Sequence, residues 1–399
     1  MENIKDRELL NRIIIAILAL LAIVSIIQGC RNAIQDSQDF QWDAAKALTM
    51  GINPYDESLN PSGILDNYDF EKYYLQMEAN QFPSLLMILY PFTLLPPLAA
   101  RYTWLCFNMI FTVAIIWLLR KTFLRDIKKD EFIIVTLLML AGTPYRNQVG
   151  VGQHTLFAFC FFLLAVYFSE YREKRSSLVT IIALFICYFK YTLTVPLVLY
   201  FVYKKRWKEL IISVIPHVIL TGVAARILNN SFLDMIIKPL KVSSALSAEG
   251  GLDISAVLGG SVIAYVLLVL IMVSLFVMAL KLPEGFDASF MAVLVLFSVI
   301  VVYHRTYDFF VIITAIAAFK ELSDKAMFDK AVEDNKNNVQ ALDALKKDFY
   351  VTLLAVFFFL RIFSENTFSK LIAGTLYYTF ILSLTALVVY VGFSKSKDV

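Results

Sequence analysis

Charged residues are scarce in this chain of 399 residues: Asp, Glu, Lys and Arg make up 17% of it, whereas 59% is hydrophobic. A soluble protein of this length needs far more polar surface. Apolar runs of about 15–25 residues recur along the whole chain, and a run of that length is what an α-helix needs to cross a bilayer. The composition therefore predicts an all-α, polytopic membrane protein, with residues 1–399 forming one integral membrane domain.

Cysteine is also scarce. Three of the four cysteines lie inside apolar runs, and the chain contains no CxxC motif. This argues against a disulfide framework or a zinc site. No DxD sequence and no nucleotide-binding motif occurs either. We therefore expect no metal ion, no cofactor and no nucleic-acid partner.

The apolar runs predict about twelve transmembrane helices with both termini inside. They cover residues 11–29, 101–119, 132–146, 152–169, 177–189, 191–203, 209–228, 254–280, 289–303, 308–320, 348–364 and 371–393. Two of these runs are short and flank Lys190, which predicts a tight hairpin or a broken helix there. Segment 82–98 is apolar but is divided by Pro91. We interpret it as a re-entrant or bent pair of half-helices, which favours a cavity beside it.

The basic segments between the runs set the predicted orientation, because Lys and Arg collect in cytoplasmic loops. These segments are 120–129, 171–175, 203–208 and 394–397. The charged segment 321–347 falls on the same side and is predicted to be a solvated cytoplasmic helix. Loop 30–81 carries nine acidic and three basic residues. It is predicted to be an extracytoplasmic loop that carries short helices.

This orientation places many of the remaining polar residues on the outer face. They are Asp39 and Asp43, Asn53 and Tyr55 of "NPYD", Arg146, Gln153 and His154 of "YRNQVGVGQH", Lys190, and His304, Arg305 and Asp308 of "HRTYD". Ionisable groups at membrane depth are costly and usually functional. Their collection on one face predicts a single outward-facing site where carboxylates meet cations.

Each of these residues also has a structural interpretation. Asp39 is equally suited to capping the helix that follows it, and Asn53 is typical of a turn. Lys190 is able to snorkel to the membrane surface. In "HRTYD", pairing between Arg305 and Asp308 is the default expectation.

Several motifs occur in an order that points to a known family. They are Asp39-Phe40, "AAKAL", "GINPYD" (51–56), "QFPSLLMILYPFTLLPPLAARYTWLCFN" (81–108), Gly152-Gln153, "KYTLTVP" (190–196) and "KKRW" (204–207). Together, over roughly residues 35–210, they resemble glycosyltransferase family 87, the polyprenyl-phosphate-dependent group of the GT-C superfamily. Two features depart from the family pattern: a single Pro83 replaces a double proline, and the Lys-to-Pro spacing is longer.

The resemblance implies a GT-C-type helical bundle in a bacterial-type plasma membrane. It implies an inverting transfer of a sugar, such as mannose or arabinofuranose, from a polyprenyl phosphate to a lipid or glycan acceptor on the extracytoplasmic face. Asp39 would be the general base, and Asp43 would bind sugar or orient Asp39.

The remaining polar residues would contact the substrates, and five of them would be phosphate partners: Arg146, His154, Lys190, His304 and Arg305. Membrane lipids are the other expected partners. A secondary transporter or a lipid-handling protein of the cell envelope is the alternative, since broken helices also suit transporters. No inverted or parallel repeat supports that alternative.

The predicted orientation is tested by cysteine labelling in intact cells. Single cysteines placed in 30–81 and 229–253 are expected to react with a membrane-impermeant maleimide, because these loops face outward. Cysteines in 171–175 and 321–347 are expected to react only after permeabilisation. Protection of 30–81 in intact cells would place Asp39 in the wrong compartment and contradict the assignment of the site.

Overall fold

The computed structural model describes residues 2–37, 40–62, 78–247, 262–301, 304–328 and 335–359. Within these ranges the secondary structure is helical and contains no strand. The predicted all-α class is confirmed. The predicted span 371–393, part of 348–364 and the masked part of loop 30–81 lie outside the described residues.

The helices follow one another with short connections. They are α1 (Glu2–Asp36), α2 (Trp42–Thr49), α3 (Pro54–Leu59), α4 (Pro83–Ile88), α5 (Tyr90–Thr93), α6 (Pro97–Lys121), α7 (Lys129–Ala141), α8 (Thr143–Gly150), α9 (Thr155–Val166), α10 (Ser177–Cys187), α11 (Tyr191–Leu197), α12 (Leu199–Tyr203), α13 (Trp207–Ile227), α14 (Asp234–Ser247), α15 (Val262–Lys281), α16 (Asp287–Val301), α17 (Ile316–Phe328) and α18 (Asn335–Leu354). Short 3₁₀ helices cover Tyr188–Lys190 and Thr306–Ala315.

Five described helical stretches are long and apolar enough to cross a membrane. They are Glu8–Gln35, Pro97–Lys121, Ser177–Leu197, Trp207–Ile227 and Val262–Lys281. A sixth is obtained if α8 and the helix Thr155–Tyr171, which meet at 108°, count as one broken span. The chain is therefore a helical membrane protein, and the predicted count of about twelve crossings stays a prediction.

The chain reverses direction at Lys190. Ser177 Oγ, at the start of α10, donates to Glu209 Oε1 over 3.0 Å. A straight helix between these two residues would separate them by roughly 48 Å at 1.5 Å per residue. The backbone of Lys190 departs from helical geometry, with φ −105° and ψ 68°. The turn at Lys190 thus lies at one end of the bundle, and Ser177 and Glu209 lie at the other.

Segment 82–98 forms two short helices, α4 and α5, before α6 begins. Pro83, Pro91 and Pro97 each occupy the first turn of a helix, where proline is tolerated because its missing N–H would have no intrahelical partner. The segment packs over α2: Trp42 Nε1 donates to Phe92 O over 3.0 Å, and Lys46 Nζ donates to Thr93 O over 3.1 Å.

The predicted cytoplasmic segments meet at the end of the bundle away from Lys190. They line a cavity of about 490 Å³ whose walls come from residues 122–127, 170–175, 204, 285–288 and 317–324. The predicted outer segments meet at the other end and line a smaller polar cavity, described below. Helix α16, with 15 residues, connects the two ends. Its length separates them by roughly 20 Å.

Candidate active site

Lys190 is the centre of a buried polar cluster. Its Nζ donates to Gln153 Oε1 over 3.1 Å and lies 3.4 Å from Asp308 Oδ2. The same Nζ lies 5.5 Å from the ring centroid of Tyr307. The Lys190 side chain is 10% exposed, and that of Asp308 is 1% exposed. An ammonium and a carboxylate are thus held together out of bulk water, where their attraction is screened little.

The carboxylate of Asp308 is held from several sides. Thr155 Oγ1, in the first turn of α9, donates to Asp308 Oδ1. His304 Nε2 lies 4.0 Å from Asp308 Oδ2, one helical turn earlier in the chain. Buried charges need such partners, because desolvation of an isolated ion costs several kcal/mol. Asp308 therefore acts as the fixed counterion that positions the Lys190 ammonium.

Gln153 connects three segments of the site. Its Oε1 accepts from Lys190 and also from the backbone N–H of His154 over 2.9 Å. Its Nε2 donates to the hydroxyl of Tyr307 over 2.8 Å. Gln153 lies in the sharp bend between α8 and α9, so its amide ties that bend to the turn at Lys190 and to the 3₁₀ helix that contains Asp308.

The bend itself depends on Gly152. This residue has φ +71°, and a Cβ placed on it would lie 2.1 Å from Ser37 Oγ. Its carbonyl accepts from Trp104 Nε1 over 2.8 Å. Glycine adopts positive φ without steric cost, whereas other residues do not. The small residue before Gln153 therefore allows the bend and its close approach to Ser37.

His154 lies beside the cluster and not in the cavity wall. It is fully buried, and its Nε2 lies 3.0 Å from the carbonyl oxygen of Phe40, to which it donates. Its ring packs 4.4 Å from that of Phe189 and 5.2 Å from that of Trp104, centroid to centroid. These contacts fasten the segment around Phe40 to the bundle.

A polar cavity opens over the cluster. Its walls include the predicted residues Gln153, Lys190, His304, Arg305 and Asp308. They also include Glu78, Asn80, Gln81, Tyr191, Thr192, Ser243 and Tyr307, which were not singled out from the sequence. Arg305 is exposed. The structure thus brings together five of the predicted site residues from three separate segments.

A second small pocket lies beside the first and contains Asp43. It is lined by Ser37, Phe40, Gln41, Trp42, Asp43, Pro97 and Arg101. Burial raises the pKa of the Asp43 carboxyl to about 7, against a smaller lowering by the Arg101 guanidinium. Gln41 Nε2 donates to the carbonyl of Glu78 over 2.9 Å. Because Glu78 also lines the polar cavity, this bond joins the walls of the two pockets.

Asp39 lies outside the described residues, but its chain neighbours are well anchored. Ser37 O accepts from Arg101 Nη2 over 3.3 Å, and Arg101 Nη1 donates to Gln35 O over 3.2 Å. Phe40 is buried and stacks on Trp104, with centroids 4.9 Å apart. The segment that contains Asp39 is therefore held on both sides against the bundle.

Three other predicted residues make structural contacts. Asn53 Oδ1 accepts from the backbone N–H groups of Tyr55 and Asp56, over 3.0 and 3.3 Å, and so caps α3. The Tyr55 hydroxyl is buried and donates to Gln81 O over 2.8 Å. Arg146 Nη1 donates to Gln28 Oε1 over 3.0 Å, which connects α8 to α1.

Comparison with protein families gives one match. The model of Glycosyltransferase family 87 matches residues 83–315, which is more than half of the chain. The chain belongs to glycosyltransferase family 87. The matched region contains Gln153, Lys190 and Asp308, whereas Asp39 and Asp43 precede it. Comparison with curated proteins and with solved structures gives no match.

Family membership and the apolar helices together make this glycosyltransferase a membrane enzyme. A sugar donor and an acceptor are therefore its substrates. The resemblance read from the motifs is confirmed, and the enzyme interpretation is favoured over the transporter.

Gly152→Ala tests the bend that carries Gln153. Alanine at φ +71° is strained, and its Cβ would displace Ser37. We expect a loss of about 1–3 kcal/mol of stability, measured as a lower Tm of the purified protein in detergent. Gly222→Ala in α13 is the matched control, because a Cβ there meets nothing within 4 Å. Equal effects of the two substitutions would contradict the role of Gly152.

Proposed function

We propose that this family 87 enzyme transfers a sugar from a polyprenyl phosphate to a lipid or glycan acceptor, on the extracytoplasmic face of the cell membrane, with inversion at the anomeric carbon. The observation that carries the proposal is the buried ammonium of Lys190 under a polar cavity at one end of the helical bundle. The transferred sugar is mannose or arabinofuranose, as the resemblance to the family implies.

The polar cavity suits the phosphate of the donor. A departing polyprenyl phosphate is an anion, and cations or donors aimed at it lower the barrier to its departure. Lys190 and Arg305 line the cavity, as does the hydroxyl-bearing Tyr307. Asp308 and Gln153 hold the ammonium in place before the substrate arrives. A preorganised charge of this kind needs no reorganisation when the bond breaks.

The position of the cluster suits a lipid-linked donor. The helices that lead into it are apolar, with long runs of exposed leucine, isoleucine and valine on α13 and α15. A prenyl chain is able to lie in the hydrocarbon layer while its phosphate reaches a polar cavity at the end of the bundle. A soluble sugar nucleotide would not require this placement.

The acidic loop supplies the other half of the chemistry. As the acceptor hydroxyl attacks the anomeric carbon, a carboxylate must take its proton. We assign this role to Asp39. The next residue, Phe40, is bonded through its carbonyl to His154, which directly follows Gln153. Adjacent residues in a chain lie about 3.8 Å apart, Cα to Cα, so this bond supports a base next to the phosphate cavity.

Asp43 is assigned to the acceptor. It lies in the pocket next to the phosphate cavity, with Trp42 and Gln41. Carboxylate and amide groups accept and donate hydrogen bonds to sugar hydroxyls. A carboxyl with a pKa of about 7 also has the value expected of a general base. Asp43 is therefore the residue to compare with Asp39.

Asp39→Asn tests the base directly. Asparagine keeps the size of the side chain but does not take the proton, so turnover is expected to fall about 10²–10⁴-fold with substrate binding little changed. The measurement is transfer of radiolabelled sugar from a polyprenyl-phosphate sugar in proteoliposomes.

A capping role for Asp39 gives the opposite result, because asparagine caps helices as well as aspartate. Asp43→Asn is the control. An active Asp39→Asn variant together with an inactive Asp43→Asn variant would move the base to position 43.

A further inference from the structure

Helices α6 and α8 carry facing polar residues inside the bundle. Trp104 Nε1 donates to Gly152 O over 2.8 Å, and the hydroxyls of Thr112 and Tyr145 are 3.1 Å apart. These two contacts fix an antiparallel register between α6 and the chain from α8 into the bend. Eight residues separate the contacts on α6 and seven separate them on the other side, so the two paths rise by similar amounts.

Asn108 lies midway between the two contacts on α6. Residues 104, 108 and 112 are four apart and share one face of the helix. Opposite them, the midpoint between Tyr145 and Gly152 falls at residues 148 and 149. Val149 faces α1, since its Cβ lies 3.3 Å from a Cβ built on Gly29. The residue left to face Asn108 is Gln148.

The two amides are buried and incompletely bonded. Asn108 and Gln148 both have no exposed surface. Neither amide atom of Asn108, and not Oε1 of Gln148, has a hydrogen-bond partner among the described residues. Buried amides without partners cost about 1–3 kcal/mol each. Two such groups aimed at one another in a fixed register are the usual setting of a buried water with two to four polar partners.

We propose that Asn108 and Gln148 form a hydrated amide pair, bridged by one water, which positions the bend that carries Gln153. Gln148 transmits the constraint, because its Nε2 donates to the carbonyl of Gln153 over 2.6 Å. Gln153 in turn accepts from Lys190. Asn108 is thus a positioning residue that acts on the site through Gln148 and touches no substrate.

A double-mutant cycle tests the pair without reference to activity. Tm is measured in detergent for the full chain with Asn108→Leu, Gln148→Leu and both. Each single change is expected to lower Tm by about 2–6 °C, since it leaves the other amide unpaired. The double variant is expected to lose less than the sum. A higher Tm for Asn108→Leu, or additive losses, would overturn the pairing.

Two further variants sharpen the result. Asn147→Leu repeats the substitution on another face of α8, where the side chain is partly exposed, and is expected to change Tm by less than about 1 °C. Asn108→Gln lengthens the side chain by one methylene, so its amide takes the place of the water. Tm within about 2 °C of the wild type supports the bridging water, and a loss as large as that of Asn108→Leu overturns it.

The effect on the site rests on the proposed function. At a temperature where all variants are folded, Asn108→Leu is expected to lower sugar transfer about tenfold, with Asn108→Gln restoring it and Asn147→Leu unaffected. Full activity of Asn108→Leu would overturn the positioning role. If the wild type transfers no sugar from a polyprenyl phosphate, the proposed function fails, while the Tm cycle still decides the amide pair.

Discussion

The contact between Lys190 and Asp308 is the constraint on which the rest of the site depends. Two opposite charges held away from bulk water are stable only when both are paired and hydrogen-bonded. Gln153 and Thr155 provide these bonds. The chain must therefore bring three segments, far apart in sequence, to one point at one end of the bundle.

Each of these three segments interrupts a helix. Gln153 lies in the 108° bend between α8 and α9, Lys190 ends a 3₁₀ helix at the reversal of the chain, and Asp308 lies in the 3₁₀ helix Thr306–Ala315. Irregular backbone at membrane depth is tolerated only where protein surrounds it or water fills a cavity beside it. The polar cavity satisfies that condition, so the broken helices and the site have one physical cause.

The sequence allowed the composition of this site to be predicted but not its internal contacts. Hydropathy and the positions of the basic segments placed Gln153, Lys190 and Asp308 on one face, and the structure brings them together. Tyr307 and Thr155 were missed because hydroxyl residues near apolar runs are common and carry no pattern of their own. The fully buried position of His154 depends on tertiary packing against Trp104 and Phe189, which local spacing does not encode.

The acidic loop shows a similar division. Its turn at Asn53 and its short helices follow from local rules of capping and turn formation. Its attachment to the bundle does not, because that attachment runs through backbone carbonyls: Phe40 O to His154 and Ser37 O to Arg101. Backbone acceptors are present at every residue, so no sequence pattern marks them.

The central claim is that the Lys190 ammonium binds the donor phosphate, and the affinity for a short-chain polyprenyl phosphate tests it most directly. Lys190→Met is compared with the wild type in an Asp308→Asn background, where no buried carboxylate is left unpaired. Lys46→Met is the matched control, since Lys46 bonds Thr93 and does not line the cavity. We predict a loss of about 10–100-fold in affinity for Lys190→Met alone, about 1.4–2.7 kcal/mol, and none for the uncharged polyprenol. Equal affinity of the two lysine variants for the phosphate would contradict the account.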